Sequence, residues 1–190
     1  MGFISILWQE SIFFKRKFWT ITTGSIIAPV LYLIAFGWGL GWGMQINGKD
    51  YINFVIPGIV ALTTMTVSFS TIANSINISR MYEKTFEEFM VAPLNMWVYA
   101  AGKITAGAFR GFYSGFLIIL LAFLFQTGIK INPYFLFIIV LNCLTFSAIG
   151  FIIGILIKSH ADMGKFTSFI ITQWLFYVVL FSLWKKCLSF

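Results

Sequence analysis

The chain offers few side chains able to do chemistry, and most of them lie together. Glu83, Lys84, Glu87 and Glu88 stand within six residues of a sequence in which only 10% of positions are charged. Elsewhere the candidates are isolated. His160 sits in the stretch Lys158–Lys165 with Asp162 but has no second His or Cys, so it makes no metal site and reads as a solvated loop residue. Cys143 lies in an apolar run and Cys187 near the end, without metal or redox spacing. No G-x-x-x-x-G-K-[ST] phosphate loop occurs, and Gly102-Lys103 lacks the upstream glycine. No apolar run contains a paired carboxylate, a Ser-Lys pair or a His cluster, which argues against an intramembrane enzyme. What needs explaining is a charged cluster, closed by Pro93, in the middle of so apolar a chain.

Composition gives the setting. Of 190 residues, 59% are hydrophobic and 19% aromatic, with 23 Phe, more than a soluble chain of this size can hide. Lipid is the natural solvent. A hydrocarbon core about 30 Å thick takes roughly 20 apolar residues per helical crossing, so the length caps the chain at about six or seven spans. No room remains for a soluble catalytic domain. The net charge of +7 is scattered between apolar runs and forms no groove for nucleic acid. The N-terminus does not read as a cleavable signal, because Glu10 interrupts it and Lys15-Arg16-Lys17 follows the apolar stretch instead of preceding it.

Five apolar runs are long enough to cross: about Trp19–Gly43, Phe54–Asn77, Ala106–Phe125, Pro133–Ile157 and Phe166–Leu183. Backbone groups in hydrocarbon must be satisfied within the segment, so an all-α polytopic membrane protein with about five spans is expected. Basic residues set its orientation. With the N-terminus inside, Lys15, Arg16, Lys17, Arg80, Lys84, Lys103, Arg110, Lys158 and Lys165 are cytoplasmic, against Lys49, Lys130, Lys185 and Lys186 outside. The charged cluster then faces cytosol, where its charges are solvated.

Two amphipathic stretches flank this frame. Phe3–Phe18 reads as a helix in the inner headgroup layer, its basic cluster near anionic lipid, or as an ordinary juxtamembrane anchor. Its apolar face is broken by Ser11 and Lys15. In the charged cluster, Tyr82, Phe86, Phe89 and Met90 share one helical face, while Glu83, Lys84, Glu87 and Glu88 point away from it. Lys84 reaches Glu88 at four-residue spacing, and Pro93 ends the helix at Ala92. Taken alone, this is equally an interfacial helix without a partner.

The run Arg80-x-x-Glu83-x-Thr85-Phe86-Glu87-x-Phe89-Met90-x-x-Pro93, followed by Gly102-Lys103, resembles the cytoplasmic segment of ABC-2 type transporter permeases. The family pattern is roughly R-x-x-G-T-hydrophobic-E-x-hydrophobic-hydrophobic-x-[ST]-P, then G-K. Lys84 stands where Gly is usual and Ala92 where Ser or Thr is usual; neither disturbs the amphipathic face. The basic N-terminal helix, Pro29 in the first span, and Tyr51 to Gly58 (YINFVIPG) agree as well, so the likeness covers about Ile6 to Thr172. It implies the membrane half of an ATP-driven exporter, with six spans and a coupling helix between the second and third. Arg80, Glu83, Thr85, Phe86, Glu87, Glu88, Phe89, Pro93 and Lys103 are the implied coupling residues. The implied partners are a cytosolic ATPase subunit, which would hold the ATP and Mg, and a second copy or sister permease. This chain itself would carry no cofactor and perform no catalysis, and it would reside in the inner or plasma membrane. A reading from another class is a non-transporting anchoring or assembly protein that uses the Glu83–Phe89 helix as its handle.

Other features concern packing and pathway. Gly107, Gly111 and Gly115 repeat at four-residue spacing, Gly150 and Gly154 follow suit, and Gly37, Gly39, Gly41 and Gly43 crowd the first run. Such small residues let helix backbones approach closely. Thr63, Thr64, Thr66, Ser68, Ser70, Thr71, Asn74, Ser75 and Asn77 make the second span unusually polar, either for hydrogen bonds between helices or as the lining of a polar path. Arg110 is expected to snorkel to the inner surface. Trp8, Trp19, Trp38, Trp42 and Trp97 fall near interfaces, and the sequon Asn77-Ile78-Ser79 should be inert at the cytoplasmic edge.

The end departs from the family. Residues 1–172 are expected to form an incomplete ABC-2 transmembrane domain, and 173–190 a frameshifted tail replacing the end of the fifth span and the sixth. Codons exist for the stretch from Gln173 that, read one nucleotide later, give the family-like MAFLCGTFLSLEKMPEF. Lys185 and Lys186, stranded on the outer side, point the same way.

Overall fold

The computed structural model describes residues 2–16, 18–35, 45–46, 49–81, 95–124, 133–157 and parts of 162–172. The segment 82–94 and the tail 173–190 lie outside the described residues. Among the described residues five helices carry the fold: α1 (Gly2–Arg16), α2 (Phe18–Leu33), α3 (Tyr51–Met81), α4 (Met96–Leu124) and α5 (Pro133–Leu156). Between α2 and α3, β1 (Gln45–Ile46) pairs antiparallel with β2 (Lys49–Asp50), Gln45 opposite Asp50 and Ile46 opposite Lys49. The chain is an all-α polytopic membrane protein.

Three of the five apolar runs are helices long and apolar enough to cross a membrane: Ile56–Met81, Met96–Phe123 and Pro133–Leu156. The first run is a shorter apolar helix, α2, with Pro29 inside it. Of the fifth run only scattered residues are described. α3 has 31 residues and α4 has 29. At 1.5 Å per residue they measure about 46 and 43 Å, so each exceeds a hydrocarbon core of about 30 Å and must project beyond it.

Local chemistry sets the helix ends. Asn95 caps α4: its Oδ1 accepts from the Trp97 N–H at 3.1 Å, and its carbonyl accepts from Val98 N at 2.9 Å. α5 opens on Pro133, whose missing N–H is no loss in a first turn. The far end of α5 is closed by α3. Asn77 Nδ2 donates to the Ile157 carbonyl at 3.3 Å, and the Arg80 guanidinium donates to that of Ile155. Asn77, fully buried in this bond, offers no acceptor for a sugar.

α3, α4 and α5 pack as a triangle. Ile56, Ile59, Val60, Ile118, Ala122, Ile139 and Cys143 fill one end, Met65, Phe69, Ala73 and Phe146 the middle, and Ile72, Ile76, Tyr99 and Phe151 the other end. These pairings make α3 and α5 run the same way and α4 oppose them. Glycines set the spacing. A Cβ on Gly107 would strike Ile72 and Ser147, one on Gly111 would strike Ser68, and one on Gly115 would meet Thr64. On α5, Gly150 faces the Phe69 carbonyl at 2.6 Å and Gly154 that of Ala73 at 3.1 Å from the positions a Cβ would take. Helices approach this closely only through small residues.

Candidate functional site

The polar residues that the structure brings together lie between α1 and α4. Glu10 and Ile6 are the buried residues of α1, so its inward face is carried by a carboxylate as well as an alkyl group. Ile6 seats on Gly102, where a Cβ would come within 2.8 Å of its Cγ2. One turn further along α1, Glu10 meets both cations of α4. Lys103 Nζ donates to Oε1, and Arg110 Nη2 donates to Oε2 at 2.6 Å. Lys103 and Arg110 sit seven residues apart on α4, two turns and so one face, which is why a single carboxylate can join them. The three residues are 7%, 7% and 3% exposed for Glu10, Lys103 and Arg110.

Neighbours complete the cluster. Ser75 Oγ on α3 lies 3.5 Å from Lys103 Nζ. The Tyr99 ring centroid is 5.8 Å from the same ammonium, and the Phe13 ring 5.2 Å from the guanidinium carbon of Arg110. Beyond Arg110, Phe14 and Phe18 pack edge-on or tilted against Tyr113 at 5.3 and 5.8 Å, and Tyr113 Oη lies 3.3 Å from Thr22 Oγ1 of α2. α1 is therefore clipped along the first half of α4 and handed on to α2. An outward-opening cleft of about 270 Å³ lies in the α1–α4 seam, lined by Leu7, Glu10, Ser11, Phe14, Thr105, Ala106, Phe109 and Arg110.

This arrangement corrects two expectations. Arg110 does not snorkel: it turns inward because Glu10 supplies a partner closer than the surface. The hydroxyls of Thr63, Thr66 and Ser70 do not bridge helices; they donate to Ile59, Thr63 and Thr66 carbonyls of α3 itself, at 2.8, 3.0 and 2.7 Å. The polar side chains of α3 that reach α4 or the end of α5 are Ser75, Asn77 and Arg80. Thr66, Ser70 and Asn74 recur at four-residue spacing on the side of α3 away from its buried residues.

Among the implied coupling residues, Arg80 and Lys103 are described. They stand near the end of α3 and the start of α4, at the same end of the bundle, each tied to a further helix, α5 and α1 respectively. Glu83, Thr85, Phe86, Glu87, Glu88, Phe89 and Pro93 lie outside the described residues. Among the described residues no group of three His, Cys, Asp or Glu side chains could hold a metal.

A bundle of long apolar helices, with glycine seams and buried charges between α1 and α4, defines a polytopic membrane protein. The chain belongs to the ABC-2 type transporter family, which matches residues 1–183. It is 26% identical over 171 residues to the inner membrane transport permease YadH of Escherichia coli strain K12, covering 87% of this chain and 66% of that permease. It is 28% identical over 156 residues to nodulation protein J of Rhizobium meliloti strain 1021, covering 80% of this chain and 59% of that protein. The chain thus spans no more than about two thirds of these curated relatives. No solved structure matches it.

Proposed function

We propose that this chain is the permease subunit of an ATP-driven exporter, with its N-terminus in the cytoplasm, working beside a second copy or a sister permease and two ATPase subunits. The observation that carries the reading is membership of the ABC-2 type transporter family along nearly the whole chain. That membership weighs against an anchoring protein that moves nothing.

The geometry supports a division of labour. Segment 82–94 connects α3 to α4, both of which are longer than a hydrocarbon core. Glu83, Glu87 and Glu88 pair with basic residues of the ATPase, and Thr85, Phe86 and Phe89 seat the helix, with Pro93 fixing its length. Arg80 and Lys103 act one step back, passing a displacement of the segment to α5 and α1. Thr66, Ser70 and Asn74, with Thr63 beside them, form a polar stripe suited to a path between two permeases, while Gly107, Gly111 and Gly115 hold the seam behind it. ATP and Mg belong to the partner.

Copurification tests this. The chain, coexpressed with the ATPase encoded beside it, is expected to bring that ATPase down, and Glu87→Lys with Phe89→Ala to lose it. Association that survives both substitutions would overturn the coupling assignment.

A further inference from the structure

We infer that the cleft between α1 and α4 is a binding site for one anionic phospholipid of the cytoplasmic leaflet, its phosphate held at Arg110 and one acyl chain laid against Phe14 and Phe109. The charge count comes first. Among the described residues Glu10 alone answers Lys103 and Arg110, so one carboxylate faces two cations and one positive charge is left in surplus. All three groups are almost fully withdrawn from solvent, where a surplus charge is costly unless a counter-charge reaches it.

The cleft gives such a counter-charge a route. Arg110 and Glu10 line it from within, Ser11 and Thr105 add hydroxyls, and Leu7, Phe14, Ala106 and Phe109 make the rest apolar. Among the described residues, the hydrogen bonds of Arg110 all leave from Nη2, toward the Glu10 carboxylate and carbonyl, and the guanidinium has further donors to give. Phe109 is 64% exposed, so the apolar wall continues out onto the surface that faces lipid.

Placement agrees. Arg110 stands midway along α4, about 21 Å from either end; the half before it carries Lys103 and the half after it no charge, so the cleft opens over the charged half of the helix. The exposed basic residues Lys15 and Arg16 end α1 directly after the cleft-lining Phe14. A volume of about 270 Å³ falls just below the roughly 300–1,000 Å³ of sites that engulf a small molecule. It suits a phosphate with the first part of a chain whose remainder stays in the bilayer. Basic pockets between helices on the cytoplasmic side are where anionic headgroups bind.

The test is lipid retention by the purified full chain, which needs no ATPase and so stands apart from the transport reading. The protein is exchanged into detergent with equal amounts of phosphatidylglycerol and phosphatidylcholine of identical chains, and bound lipid is counted by native mass spectrometry. One phosphatidylglycerol is expected to stay in preference to phosphatidylcholine. Ser11→Glu, which puts a negative charge at the mouth without touching the ion pair, is expected to weaken retention about fivefold, the effect of one charge near a membrane surface. Lys15→Gln with Arg16→Gln, which lowers only the general attraction of α1 for acidic membranes, is expected to leave it in place. Equal retention of the two lipids overturns the inference, as does retention unmoved by Ser11→Glu or lost with the Lys15 and Arg16 changes. Displacement by millimolar inorganic phosphate would mark a free-anion site and overturn the lipid as occupant.

Discussion

Glu10 and Arg110, 100 residues apart in sequence, meet with Nη2 at 2.6 Å from Oε2. The contact, shared with Lys103, fastens the first helix of the chain to the helix that follows the charged segment. Its removal is informative from the acidic side. Glu10→Ala leaves two buried cations without a counter-charge, and breaking a buried pair in this way costs about 3–5 kcal/mol. Glu10→Gln, which keeps an acceptor oxygen, is expected to cost less. Thermal unfolding of the two variants in one detergent checks the order; equal stability of Glu10→Ala and the parent would mean the pair holds nothing together.

The helix seams predict a ranking among glycines. Gly150 would push a Cβ against the Phe69 carbonyl, part of a backbone that has no rotamer to change. Gly107 would push one against Cγ1 of the fully buried, β-branched Ile72 and against Ser147 Oγ, which is bonded to the Ile104 carbonyl, so neither neighbour is a free side-chain end. Overpacking costs about 1–3 kcal/mol, so Gly150→Ala and Gly107→Ala are both expected near or above the top of that range. Gly24 and Gly58 have open space where a Cβ would go, and there Ala is expected to be neutral or to gain up to about 1 kcal/mol of helix propensity. Denaturation midpoints of the four variants give the order directly.

What was readable in advance follows from which interactions are local. The apolar runs Phe54–Asn77, Ala106–Phe125 and Pro133–Ile157 are visible by hydropathy and length, because a crossing helix satisfies its own backbone and needs no distant partner; the helices are Ile56–Met81, Met96–Phe123 and Pro133–Leu156, so the start of α4 before Ala106 was not legible. The four-residue glycine spacing was equally visible, although which residues fill the seam was not. The Glu10–Lys103–Arg110 cluster escaped because its members are 93 and 100 residues apart. Glu10 read as a flaw in an apolar stretch and Arg110 as a stray charge near a surface. A signal did exist: Glu10 is the sole acidic residue before Asp50, and Arg110 is a cation inside an apolar run. Two charges that each look misplaced, and have opposite sign, are candidates for one another. The hydroxyls of α3 misled for the opposite reason, since Thr and Ser satisfy themselves within one turn of their own helix and leave little trace of it in composition.

The closure of α5 by α3 yields a prediction about local stability. Asn77 and Arg80 supply hydrogen bonds to the Ile157 and Ile155 carbonyls. Asn77→Ala strands a buried acceptor, at about 1–3 kcal/mol, and the loss should be felt where the bond ends. Hydrogen exchange over 150–157 is expected to speed up markedly, while exchange over 133–145, at the other end of α5, stays as it was. A uniform change along α5 would show that Asn77 supports the whole bundle and not its end.

Topology is the remaining prediction, and it bears on the transport reading as a whole. α3 and α5 run one way and α4 the other, so the end of α3, the start of α4 and the end of α5 share a side, whereas Lys49 precedes α3 on the opposite one. On the proposed orientation, drawn from the balance of Lys and Arg, the first side is the cytoplasmic one. With Cys187 replaced, the remaining thiol, Cys143, is buried among the helices and should stay silent toward a polar reagent. Single cysteines at Glu87 and Lys49 then report the two sides. A membrane-impermeant maleimide added to intact cells is expected to label Lys49→Cys and to spare Glu87→Cys, which should react only once the membrane is opened. Labelling of Glu87→Cys in intact cells would put the acidic segment beyond the reach of any cytosolic ATPase.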